Sequence, residues 1–432
     1  MVQTVASFDR GVEAAVTMRR PDRYLAFRAD DFPPTAIARG AGLSYAAASF
    51  ADGGTSLSMT EFSRIIQWDE ERALIRVEAG IRLFDLFRFL AERRHFLPIQ
   101  PGHGLITVGG CIAANVHGKW GGGDTTFASQ VQSLRLFHPS HGIVELSDTE
   151  LPDVFNLTCG GYGLTGVILD ATLRVKPLNS SVCKVQFIEI DDLDGSAAKI
   201  TEIATCSAFL YTWHDFSRRG NGHAVRIDFA DEGGRARRPL VRNPKSPRRS
   251  FPFCAYSRLT ISAFNYFYQE FQMRRRITVS DLASTIFPVH ALQQYFRLFG
   301  PSGFHSYQVI LPRQAYETFA GEVISRARMH GTPITLASSK VFSGTRSMLR
   351  FAGDGICLSL DCPRSSRSGA FLNDVDALTI EAKGWPNLIK DSRLPRSVVE
   401  ACYPEFDRFR AGVRAWDPAR VFQSELSRRL SI

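Results

Sequence analysis

Lysine is scarce in this chain. Of its 52 basic residues only eight are lysines, at positions 119, 176, 184, 199, 245, 340, 383 and 390, so each one invites a search for a task that arginine does not perform. No apolar run approaches the 18 or more residues of a spanning helix. The opening residues MVQTVASFDRGVEAAVTMRR show no charged leader followed by an apolar stretch and a small-residue cleavage site. A cytoplasmic protein is therefore expected. The eight cysteines are scattered without a C-x-x-C pair, which argues against a zinc site and a disulfide framework, and no metal is expected. Buried free thiols are the plain expectation for them. Charged residues are few, at 22%, while 44% are hydrophobic and 11% aromatic, which excludes a disordered or collagen-like chain.

The net charge of +9 is a local property. Residues 218–276 hold fourteen basic against four acidic side chains, a net of +10, which leaves the remaining chain near neutral at −1. No nucleic-acid motif accompanies this segment, so no nucleic-acid partner is expected. Its arginines are mixed with Phe251, Phe253, Tyr256, Phe264, Tyr266, Phe267 and Tyr268, a combination suited to anionic headgroups and acyl chains at a membrane surface.

The 432 residues allow two to four domains. The first 178 are rich in glycine and short apolar runs; 73–79 and 166–175 read as strands, 130–146 as strand-like, and 83–93 carries helical spacing. Beyond Pro177 the glycine-rich loops stop. Strands are expected at 185–190, 306–311 and 356–360, and a helix over 314–330 closed by Gly331. A poorly ordered loop is expected near 231–250, and 391–432 has helical patterning.

Three glycine-rich segments carry the chemistry. The first is Arg39-Gly40-Ala41-Gly42-Leu43-Ser44-Tyr45. Its glycines permit positive φ and close approach of a ligand, and its consecutive N–H groups suit an anion. Alone it reads equally as an ordinary tight turn, and it lacks the third glycine and helix of a dinucleotide fingerprint. The second runs from Pro101-Gly102 through Thr107-Val108-Gly109-Gly110-Cys111 and Ala113-Ala114-Asn115 to His117-Gly118-Lys119. Its small residues leave room for a flat group. The third is Gly160-Gly161-Tyr162-Gly163-Leu164-Thr165-Gly166-Val167.

In this order, the three segments resemble the FAD-binding module of the vanillyl-alcohol oxidase/PCMH superfamily. Within it the chain is similar to the decaprenylphosphoryl-β-D-ribose 2′-oxidase family, since Tyr307-Gln308, Lys340-Val341-Phe342, Ile356-Cys357, Lys390-Asp391-Ser392 and the terminal D-P-x-x-V-F fall in the family's order. The resemblance implies an α+β protein: a two-part PCMH-type FAD domain at 1–178, a substrate domain on an antiparallel sheet at 179–385 with a basic insertion at 218–276, and a segment 386–432 returning to the FAD domain. It implies FAD held by Arg39 to Tyr45, by Pro101, Gly102, Thr107 to Cys111, Ala113 to Asn115, His117 and Gly118, and by Gly161, Gly163, Leu164, Gly166 and Val167. Lys390 would lie at the flavin edge and stabilise charge as hydride is accepted.

His117 would either take the carbinol proton or orient flavin and substrate. Tyr45, Lys119, Tyr307, Gln308, Lys340, Phe342 and Cys357 would line a sugar pocket, Lys340 facing the substrate phosphate, although a core thiol is an equal reading for Cys357. The implied reaction is FAD-dependent oxidation of a secondary alcohol on a phosphate-linked pentose, C2′ of a polyprenylphosphoryl ribose. That step is the first half of an epimerisation to the arabinose donor, completed by a short-chain reductase partner at the inner membrane face. Leu43 stands where the superfamily's sugar-lactone and alditol oxidases carry a flavin-linked histidine, so noncovalent FAD is expected and oxidation of soluble sugars is the alternative. Asn387-Leu388-Ile389-Lys390 likewise replaces their His-Trp-x-Lys.

Overall fold

The computed structural model describes residues 1–121, 126–230, 250–290 and 292–432; the loop expected near 231–250 lies almost wholly outside them. Strands β1 (Val2–Ala6), β2 (Glu13–Arg19), β3 (Ala36–Arg39) and β4 (Thr55–Ser58) form a sheet in the order β1-β2-β4-β3, in which β4 runs parallel to both neighbours. A second sheet, wholly antiparallel, holds β5 (Ile65–Asp69) and β6 (Leu74–Glu78) and, beyond the short β7 (His95–Phe96), β8 (Val131–His138), β9 (Gly142–Ser147) and β10 (Val167–Arg174). The stretch read as one strand-like segment at 130–146 is thus the hairpin β8–β9, turned at Gly142 with φ +70°. The helix Leu83–Glu92 buries Leu83, Phe84, Leu86, Phe87 and Leu90 against this half, at roughly 1.5–3 kcal/mol per side chain.

Strand β11 (Lys176–Pro177) pairs with β7. Beyond it stand two four-stranded sheets. One orders β12 (Val182–Ile190), β13 (Phe209–His214), β14 (Gly222–Phe229) and β15 (Ile277–Asp281) as β13-β14-β12-β15. The other orders β16 (Phe304–Leu311), β17 (Leu336–Phe342), β18 (Gly355–Pro363) and β19 (Trp385–Pro386) as β17-β18-β16-β19. Where β13 meets β17, the Thr212 hydroxyl accepts from the Ser339 N–H at 2.8 Å, a side chain standing in for a ladder bond. The helices Tyr316–Met329 and Ser366–Glu381 cover one face of the second of these sheets.

At its end the chain returns to the first sheet. Ala36 donates to the Val421 carbonyl and accepts from the Gln423 N–H, so Phe422 lies beside β3. The architecture is α+β, with mainly antiparallel sheets. Six cysteines are buried, whereas Cys206 and Cys254 are exposed, contrary to the expectation for all eight.

Candidate active site

The first glycine loop leaves the end of β3 and folds over the start of a short helix, Val108–Ala113. Thr107 caps this helix by accepting from the Gly110 N–H at 3.3 Å, and a Cβ on Gly40 would fall 2.2 Å from the same hydroxyl. Gly42 has φ +70°, and a Cβ there would lie 2.4 Å from the Arg39 guanidinium. The loop is therefore glycine because backbone, capping hydroxyl and guanidinium share one small space. Arg39 donates to Ser49 at 2.8 Å, and a cleft of about 280 Å³ opens beside Arg39, Gly40, Ser58 and Thr60.

The helix Val108–Ala113 has two unlike sides. Val108, Cys111 and Ile112 are buried in the core, whereas Gly109, Gly110, Ala113 and Ala114 remain half-buried, a small-residue face open for a flat group. The third glycine segment docks on the end of this helix, Gly160 donating to the Ile112 carbonyl at 2.9 Å and Tyr162 to Ala113 at 2.7 Å. Gly161 admits no side chain, since a Cβ would lie 1.9 Å from the Leu157 carbonyl oxygen. Leu164 and Val167 are core residues, as are Val108 and Cys111, so these four support the face from beneath. Asn115 accepts from Ala128 at 2.9 Å, while its buried Nδ2 has no partner among the described residues.

Facing these loops is one side of the β17-β18-β16 sheet. The register sets Lys340 opposite Cys357, Gln308 opposite Ser359 and Ser306 opposite Asp361, and the two-residue period of a strand then puts Ser306, Gln308, Lys340, Phe342, Cys357, Ser359 and Asp361 on a common face. The same period corrects one expectation. Tyr307, next to Gln308, must point the other way, and its hydroxyl bonds Thr379 of the covering helix at 2.8 Å. Tyr307 is packing, not pocket lining.

His117 joins the two halves. Its Nε2 lies 3.1 Å from Gln308 Oε1, which also accepts from Asn387 Nδ2 at 2.7 Å, while Gln308 Nε2 donates to Ser359 at 2.7 Å. This network assigns the imidazole proton to Nε2. The ring packs edge-on to Phe342, centroids 5.0 Å apart. Burial foremost, then the Lys340 charge, push its pKa down to about 3. His117 is thus a neutral ring committed to Gln308, which suits positioning better than proton abstraction.

Three of the eight lysines meet here. Lys390 holds its ammonium 4.0 Å from the centre of the Tyr45 ring, and Lys119 donates to the Thr285 carbonyl at 2.9 Å. Burial lowers the pKa of Lys390, with Asp361 opposing, and takes that of Lys119 well down, with Lys340 adding repulsion. Lys340 is pushed down to about 8, first by burial, with Lys390 adding to the shift and Cys357 opposing it. None of the three forms an ion pair with a carboxylate among the described residues. Half-buried cations left this way favour an anionic partner.

Sequence reasoning missed Asn387, Ser359, Asp361 and Phe351, whose ring lies 5.6 Å, centroid to centroid, from that of His117. Asp361 accepts from Tyr295 Oη at 3.0 Å, burial raises its pKa, and it balances Lys390 electrostatically. The alternation Cys357, Ser359, Asp361 within an apolar strand was the available signal. The loop carrying Lys390 is itself clamped. Arg393 pairs with both Asp376 and Asp391, Arg429 donates to the Asp391 and Ser392 carbonyls, and Asp9 accepts from Ser392 at 2.5 Å and from Arg364 at 2.7 Å.

Residues 28–147 match the family described as FAD binding domain. Over 92% of this chain and 89% of the other, the sequence is 27% identical to the decaprenylphosphoryl-β-D-ribose oxidase of Mycolicibacterium smegmatis. The chain is thus similar to that oxidase over nearly its whole length, and it carries a PCMH-type FAD-binding domain. An uncharacterised Streptomyces coelicolor protein is 29% identical over 78% of this chain and 96% of its own. The L-gulonolactone oxidase of Mus musculus is 31% identical, but over only 34% of each chain. The flavoprotein is an FAD-dependent oxidoreductase, and its residues fit that cofactor. The half-buried small residues Gly110, Ala113 and Ala114 would admit a flat ring system, the glycine loop 39–45 would offer backbone N–H groups to a pyrophosphate, Asn115 Nδ2 is a buried donor without a partner among the described residues, and the lysines would supply positive charge.

Proposed function

We propose that this flavoprotein oxidises a secondary alcohol on a phosphate-linked pentose, C2′ of a polyprenylphosphoryl-β-D-ribose, to the keto sugar. The observation that carries this reading is the meeting of Lys119, Lys340 and Lys390, half-buried and in no ion pair with a carboxylate among the described residues, on a polar sheet face opposite the small-residue face. A phosphodiester and an electron-rich ring need such cations; a neutral soluble sugar needs one at most. The end-to-end similarity to the mycobacterial ribose oxidase supports the same substrate class. The lactone-oxidising relative aligns over only a third of the chain, which does not favour the soluble-sugar alternative.

Oxidation releases a hydride from the carbinol carbon and a proton from its oxygen; FAD, when bound, would supply the hydride acceptor, and the proton would pass to solvent. Lys390 supplies a fixed positive charge to the cofactor edge. Gln308 and Asn387 orient His117, which with Phe342 and Tyr45 shapes the sugar pocket, and Lys340 takes the phosphate. Leu43 offers no nucleophile, so FAD is held noncovalently and is released on denaturation into the supernatant. A short-chain reductase would consume the keto product and complete the epimerisation. A panel of substrates under anaerobic conditions tests the reading: polyprenylphosphoryl ribose bleaches the flavin and soluble lactones or alditols do not, whereas the opposite pattern sinks it.

The low pKa of Lys340 gives a signed prediction. Below pH 8 it is an ammonium and binds phosphate; above, it is neutral, and the diester does not titrate in this range. We expect kcat/KM to fall as pH rises through about 8, and Lys340→Gln to remove that limb while raising KM at pH 7 by about 10- to 100-fold, the worth of a charged hydrogen bond. An unchanged profile in the variant would detach Lys340 from the phosphate.

A further inference from the structure

The helix Arg258–Arg275 is largely inverted. It begins with a capping box between Ser257 and Thr260, and apart from Ile261, 2% exposed, and Tyr268, packed edge-on to Trp213, the residues it turns to the protein are polar. Asn265 donates to Asp215 at 2.7 Å, Gln269 donates to the Gly222 carbonyl at 3.0 Å, and Gln269 Oε1 lies 2.7 Å from His223 Nδ1. Its aromatic stripe points outward, with Phe264 60%, Phe267 69% and Phe271 50% exposed. At 100° per residue, Phe264, Phe267 and Phe271 fall within one narrow stripe. Exposed aromatics in such a stripe mark a contact surface rather than chance.

We infer that this face is a membrane-docking surface, on which Phe264, Phe267 and Phe271 enter the headgroup and acyl boundary of an anionic bilayer. Charge complementarity selects that occupant. Arg258, Arg274, Arg275 and Arg276 flank the stripe, against Glu270 as the one acid from 258 to 276, and the Arg275 guanidinium rides 4.2 Å over the Phe271 ring. Arginines beside outward phenylalanines match anionic headgroups above buried chains. A second protein copy would need acidic complements that this basic stripe does not itself carry. No helix among the described residues is long and apolar enough to cross a membrane, so the attachment is to one surface. The same insertion leads inward: Tyr256 donates to the Tyr295 carbonyl at 2.9 Å, and Tyr295 reaches Asp361 at the candidate site. The docking stands whether or not the substrate assignment does.

Co-sedimentation of the full FAD-loaded protein with vesicles tests it, using equal parts phosphatidylcholine and phosphatidylglycerol against phosphatidylcholine alone. Binding is expected to the anionic vesicles, weakened by salt. The variant F264S/F267S/F271S should lose it by about tenfold or more, and R274Q/R275Q/R276Q by about 100-fold, both with unchanged circular dichroism and unchanged turnover of a short-chain, water-soluble prenylphosphoryl ribose. Equal pelleting of the aromatic variant and the parent overturns the proposal. So does a parent that stays in the supernatant, or a solution dimer that the aromatic variant dissolves. Flavin reduction by the short-chain substrate is read separately, so a failed docking surface and a failed substrate assignment give different results.

Discussion

Replacing Lys390 by alanine slows anaerobic flavin reduction by about 10²- to 10³-fold, the usual loss when one preorganised charge or donor is taken from developing negative charge. The size follows from position. Lys390 is half-buried with its ammonium 4.0 Å from the centre of the Tyr45 ring, and Asp361 is the acid that balances it. Water screens a charge less there than in bulk solvent, so it acts more strongly on its neighbours. Stopped-flow absorbance of the FAD-loaded variant checks it, with retained flavin as the control for binding. Because Lys390 acts when charge develops, kcat should fall far more than KM rises. A variant that reduces its flavin at the parent's rate would remove Lys390 from the chemistry.

Arg393→Ala is expected to cost about 3–5 kcal/mol of stability, the penalty for leaving buried carboxylates without their cation. Arg393 is 16% exposed and pairs with Asp376 and Asp391, themselves 7% and 3% exposed. Asp391 also lies one step from the chemistry, because it follows Lys390 directly. Denaturant unfolding should show the lower midpoint, and flavin reduction at low temperature should be slowed even in the folded fraction, as the Lys390 loop loses one of its clamps. The triple variant Arg393→Met with Asp376→Leu and Asp391→Asn separates the causes. Removing the cation together with the charge of both acids should recover much of the stability, and a single variant as stable as the parent would show that the clamp holds nothing.

The three glycine segments were legible because their constraint is local. A turn with positive φ or a capping hydroxyl 2.2 Å from a would-be Cβ restricts the residue type directly, and such restrictions survive in a single sequence. The lysines were legible by scarcity. Tyr307 was misread because the paired Tyr307-Gln308 looks like one feature in sequence, whereas a strand sends neighbours to opposite faces. Asn387, Ser359 and Asp361 went unread for a different reason: their meaning lies in register, the pairing of β16 with β18 and the return of the 387–392 loop, and no local pattern states which residues oppose each other. The inverted helix at 258–275 was seen as composition, arginine with aromatics. That its polar side faces inward depends on Asp215, Gly222 and His223, some 40 to 50 residues earlier.

The central claim is that hydride leaves C2′ of a phosphate-linked ribose. Single-turnover reduction of the bound FAD by polyprenylphosphoryl-β-D-ribose, unlabelled and deuterated at C2′, tests it most directly, with mass analysis of the product. The account predicts bleaching that is slowed by deuterium at C2′ and a product two mass units lighter than the unlabelled substrate. Bleaching insensitive to that deuterium, or a flavin that stays oxidised while a soluble lactone reduces it, would contradict it.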